Sequence, residues 1–153
     1  MRRVIGVAAL CLLPISVLTV GMSSVASAST GVSCKVLSGN FATGTTGTIS
    51  KCSDKPNTGT KGTFPIAALA NGSGTITWNG TGTTALKSVT ATQITPGTCP
   101  TGDDEYQVTA VVKKSTGAAA KSILKKWKLN AYACIDSLGN LSLLAGTTLT
   151  IGP

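Results

Sequence analysis

Apolar and polar residues alternate along much of this chain, and the alternation is clearest in two stretches. Between Phe64 and Thr95, two similar sequences, Asn71-Gly72-Ser73-Gly74 and Asn79-Gly80-Thr81-Gly82, separate three runs rich in threonine and other strand-forming residues. Asn-Gly accepts the positive φ angles of tight hairpin turns, so the stretch predicts a meander. Ile76 and Trp78 then face a core, while Thr75, Thr77 and Asn79 face out. In the C-terminal third, Tyr106, Val108, Ala110 and Val112 share one parity between Asp104 and Lys114. Trp127, Leu129, Ala131, Ala133 and Ile135 share one between Lys125 and Ile135, and Leu141, Leu143, Ala145, Leu149 and Ile151 do so in the final run, interrupted at Thr147. This patterning predicts three long antiparallel strands joined by turns at 115–120 and 136–140. The patch Ala118-Ala119-Ala120-Lys121 offers a helical turn as the alternative in the first connection.

Nearer the N-terminus, Val32 to Leu37 and Thr46 to Cys52 have strand character, and residues 53–62 form a polar Lys/Thr/Gly loop. Threonine and glycine are abundant and no long helix fits. The sum is an all-β fold, an antiparallel β-sandwich or barrel of about eight strands.

The start of the chain differs. Met1-Arg2-Arg3 is positive, Val4 to Met22 is almost wholly apolar, and the small residues Ser23-Ser24-Val25-Ala26-Ser27-Ala28 follow. That order predicts a secretory signal peptide over residues 1–28, cleaved after Ala28, and a single β domain over 29–153. An uncleaved membrane anchor competes, since the apolar run is long enough to cross a bilayer; Pro14 in its middle and the small-residue exit favour cleavage. No membrane span is expected after the cut, and the location is extracellular or at the cell surface.

Removing the signal also removes Cys11 from the 5 cysteines, leaving Cys34, Cys52, Cys99 and Cys134. An even count in an exported chain predicts two disulfides, for which three pairings exist. Cys34 with Cys52 and Cys99 with Cys134 are favoured because each closes the shorter loop. Cys134 lies on the parity of Lys126, Lys128 and Tyr132, opposite the core set, so its partner must reach it from the outer face; the Pro- and Gly-bearing loop 95–102 is a natural lid there. Zinc is disfavoured, because no two cysteines have the usual close ligand spacing and the chain has His 0.

One resemblance enters at this point. Ile49-Ser50-Lys51-Cys52-Ser53-Asp54, with the following Gly/Thr loop and Gly74-Thr75-Ile76-Thr77-Trp78-Asn79-Gly80, is similar to segments of small, uncharacterised secreted actinobacterial proteins. The resemblance implies a bacterial, extracellular setting and carries over no catalytic residue.

Candidate chemistry is sparse. Without histidine, the usual serine or cysteine triads lack their base. A lysine-assisted serine has no spacing to single it out. Paired carboxylates for glycoside hydrolysis would come from Asp54, Asp103, Asp104, Glu105 and Asp136. Three of these are consecutive and are expected in a solvated turn, with a weak calcium site as the sharper alternative. No cofactor is implied. Trp78, a sugar-stacking candidate, alternates with threonines as a core residue does, and the sequons at Asn71, Asn79 and Asn140 matter only where the glycosylation machinery exists.

Charge adds the one directional feature. Without Arg2 and Arg3 the chain keeps 11 lysines against 5 acids, a net charge near +6 instead of +8. Lys113, Lys114, Lys121, Lys125, Lys126 and Lys128 fall on two adjacent expected strands and their connection. The plain reading is a solvated or edge-protecting strand; the functional one is contact with an anionic wall polymer or lipid surface, nucleic acid being disfavoured by the missing arginines and few aromatics. The expected function is therefore a secreted, non-enzymatic β-sandwich that binds a cell-surface or extracellular partner. The alternative from another class is a protease inhibitor presenting Thr95-Pro96-Gly97-Thr98-Cys99-Pro100 as a disulfide-anchored loop, and the third is an enzyme built on the five acids.

Overall fold

In the computed structural model, which describes residues 31–153, the alternating runs become nine antiparallel strands. The expected signal peptide, 1–28, lies outside the described residues. The strands are β1 (Val32–Asn40), β2 (Thr46–Cys52), β3 (Lys61–Pro65), β4 (Ser73–Trp78), β5 (Gly82–Ile94), β6 (Asp104–Ser115), β7 (Lys128–Ile135), β8 (Asn140–Leu143) and β9 (Leu149–Gly152). Each of β1 to β7 pairs with the next in sequence. Strands β8 and β9 then lie end to end between β7 and β1. Leu143 of β8 faces Ala133 of β7, and Ser142 faces Ser38 of β1; Ile151 of β9 faces both Leu129 and Val32. The sheet therefore closes on itself as an eight-stranded barrel plus one extra strand, not as a sandwich.

The final apolar run was expected to be one strand and is two. Gly146 has a φ of 78°, and Thr147 closes a turn by donating its N–H and its hydroxyl to the carbonyl of Leu144, at 3.0 and 2.7 Å. The turn lifts Ala145 out to solvent, against its parity, because local turn chemistry outweighs one alanine's burial. The first Asn-Gly also departs from expectation: Asn71 ends a short helix, α1 (Ala68–Asn71, preceded in the chain by a single turn at Lys55–Thr58), and Gly72 at φ 69° caps it. The second, at Asn79-Gly80, is the hairpin turn foreseen between β4 and β5.

The lumen is filled rather than hollow. Trp78 and Ile76 are 1 % and 2 % exposed, as their parity predicts. Room for them comes from Gly62 on the neighbouring strand, where an added Cβ would stand 2.9 Å from Ile76 Cγ2 and 3.0 Å from the Trp78 ring. The indole N–H of Trp78 donates to Thr84 Oγ1 at 2.8 Å inside the barrel, so its polar atom is satisfied. The void that remains, lined by apolar side chains such as Leu37, Ile49, Val108 and Leu141, is about 50 Å³. Ligand pockets usually run to about 300 Å³ or more, so this space is a packing remnant.

Helix α1 closes one end of the barrel. The other is plugged by the β6–β7 connection, whose Ala119 and Ile123 are 0 % and 1 % exposed. With its own core and no free sheet edge, the segment 31–153 contains a complete folding unit.

Both expected disulfides form. Cys34 and Cys52 face one another across β1 and β2, with Cα atoms 3.9 Å apart. Cys99 reaches Cys134 from the outer face, at a Cα separation of 5.8 Å, with the 95–102 loop as the lid its parity required.

Candidate functional site

Successive antiparallel strands return to the same end of a barrel at every second connection, and this sorts the charges. The loop before β3, the β4–β5 turn, the β6–β7 connection and Gly31 come to one end. The β1–β2 loop, α1, the β5–β6 loop and the β7–β8 turn come to the other.

The first end is basic. Lys113 and Lys114 are on the last turn-ward residues of β6, and the connection that follows is held down by Thr116, whose N–H donates to Thr83 O at 2.8 Å, and by Ala118, whose N–H donates to Thr81 O at 2.7 Å. A 3₁₀ helix, Gly117–Lys121, buries Ala119 and leaves Lys121 exposed. This is the helical turn that the alanine patch offered as an alternative. After buried Ile123, a turn spans Leu124, Lys125, Lys126 and Trp127, closed by the Trp127 N–H on Leu124 O at 3.3 Å. It is hooked to β6 by Lys126 N–H to Val112 O, 2.9 Å, and Val112 N–H to Trp127 O, 2.7 Å.

Lys125 and Lys126 thus stand on a turn, not in the strand expected from residue 125 onward; β7 begins at Lys128. Lys126 needs a φ of 73° there, which disturbs the ladder. All six predicted lysines are exposed at this end, joined by Lys51 and Lys61 at the facing ends of β2 and β3. A closed sheet has no edge strand, so the edge-protecting role does not apply to them.

One residue here was missed by sequence reasoning. Leu124, the first residue of the lysine turn, is 46 % exposed. The doublet Ile123-Leu124 was the available signal, since adjacent side chains near a strand cannot both face the core. Trp127 is half-buried against the core, consistent with its parity.

The opposite end is acidic. Asp103, Asp104, Glu105 and Asp136 are there, and Asp54 alone is at the basic end. Glu105 is not solvated as expected. It is 5 % exposed under the 95–102 loop, where its Oε2 accepts the backbone N–H of Thr98 and, at 2.9 Å, the Thr98 hydroxyl. These two bonds hold its carboxyl below the usual range. Asp136 is also lowered, by the Asn140 side-chain amide at 2.8 Å and then the Asn140 backbone N–H. Asp104 accepts from Gln93 at 3.0 Å. No group of three potential metal ligands occurs among the described residues.

Asp104 and Lys114 are separated along β6 by about 33 Å of strand, or about 25 Å along the axis of a barrel with strands tilted near 40°. That is several times the screening length of about 8 Å at physiological salt, so the two ends present independent fields. No family model, curated protein or solved structure matches this chain.

Proposed function

We propose that this protein is exported and acts without catalysis, by attaching to a polyanionic surface of the cell envelope through its basic end. The observation that carries the reading is the segregation of charge: six exposed lysines on one connection and its flanking strand ends, with four of the five acids at the far end. Such a field attracts an anionic partner over long range and orients the barrel on approach. The signal-like N-terminus, the two disulfides and the resemblance to small exported actinobacterial proteins support an oxidising, extracellular setting. The filled lumen leaves the surface as the place of contact.

Pull-down on envelope fractions and on immobilised polyphosphate, at low and at high salt, tests this reading. Binding that weakens steeply with salt and with Lys121→Gln, Lys125→Gln and Lys126→Gln together is expected. Salt-insensitive binding, or none, overturns it.

A second reading draws on the loop 95–100, whose residues apart from half-buried Cys99 are exposed and which is pinned by Cys99–Cys134 and by Thr98 on Glu105. A loop so preorganised suits a protease inhibitor. Incubation with a panel of secreted serine proteases decides it: stoichiometric inhibition supports the inhibitor, and none at micromolar protein removes it.

A further inference from the structure

We infer that the basic end seats on one kind of polyanion, an anionic lipid bilayer, with Leu124 inserted among the headgroups; this rests on the polyanion reading above. A soluble polyanion asks only for charge. Here the turn whose two central residues are Lys125 and Lys126 also carries, at its first position, Leu124, one of the three large apolar side chains left exposed among the described residues. Its neighbours fix how it is presented. Ile123 is buried on one side, Trp127 packs against the core on the other, and the Trp127 N–H to Leu124 O bond closes the turn between them. Leu124 therefore projects from a rigid base with lysines on both sides, the arrangement that combines attraction to anionic headgroups with burial of an apolar tip.

A second, independent observation sets the orientation. The chain enters the barrel at Gly31, which packs against the end of β9, where an added Cβ would be 2.4 Å from Ile151 O. The next residue of β9, Gly152, is the register partner of Lys128. The apolar run Val4 to Met22 is thus joined to the barrel at its basic end, through residues 23–30, which span at most about 28 Å. Were that run kept as an anchor, the alternative to cleavage, the basic end would be the one tethered to the bilayer.

The test uses residues 29–153, which include the complete folding unit, in co-sedimentation with vesicles of phosphatidylcholine alone and of phosphatidylcholine with a third phosphatidylglycerol, beside retention on polyphosphate. Wild type is expected to bind the anionic vesicles and not the neutral ones. Leu124→Ser should weaken vesicle binding about five-fold, the effect of the apolar area of one half-exposed leucine, and leave polyphosphate retention unchanged. Leu124→Trp should tighten vesicle binding and give a blue-shifted emission on the vesicles. Vesicle binding unaltered by Leu124→Ser, or polyphosphate retention without vesicle binding, overturns the bilayer and leaves the polyanion reading standing. Loss of both overturns both.

Discussion

Glu105 on β6 and Thr98 in the loop before it are joined twice, the backbone N–H and the hydroxyl of Thr98 both donating to the same carboxylate oxygen. The bond pair fastens the loop beside the Cys99–Cys134 bridge. It is strongest while the carboxyl is ionised. Because the folded-state pKa is lowered, the contribution is complete above the unfolded carboxyl's pKa, near 4.3, and is lost as pH falls through the folded value. Urea midpoints measured from pH 7 down to pH 2 should show this loss in wild type, and a flatter profile over the acid limb in Glu105→Gln.

The two disulfides close loops of 18 and 35 residues. On the chain-entropy relation, removing Cys99–Cys134 by paired alanine substitution should cost about 4 kcal/mol and removing Cys34–Cys52 about 3 kcal/mol. Equilibrium denaturation of each double variant checks the order. An equal or reversed order would show that the folded loops, rather than the unfolded chain, dominate the effect.

Gly62 makes room for Ile76 and Trp78, two of the most deeply buried side chains of the barrel. Gly62→Ala should destabilise by about 1–3 kcal/mol through overpacking. The near-ultraviolet circular dichroism of Trp78 should change with it, because the ring must shift to admit the methyl group. A neutral substitution would mean that the lumen relaxes into its small void.

Lys126 occupies a left-handed backbone position that glycine adopts without strain. Lys126→Gly should therefore stabilise the domain by about 0.5–1 kcal/mol while weakening retention on polyphosphate. Thermal melts and retention at low salt measure the two effects separately. A variant both more stable and equally well bound would show that this lysine is ordinary surface.

The sequence by itself determined the strand class and most of the core, and favoured, among three pairings, the two disulfides that form. Strand parity is local: with a backbone period of two, Ile76, Trp78, Val108, Val112, Leu129 and Ile151 declare their face wherever the strand packs. Cys134 announced an outer-face partner in the same way. Turn chemistry, also local, was harder to weigh against parity, so the break between β8 and β9 and the helix ending at Asn71 were legible only in the structure. Closure was decided by tertiary structure alone, because no residue encodes whether β1 meets β9 or a second sheet; that depends on summed twist and stagger over every strand. The same long-range geometry took Glu105 out of solvent beneath a loop, gathered lysines from separate stretches at one end, and left Leu124 exposed in the turn that carries two of them. The charge was visible in the composition; its direction exists only once the barrel has closed.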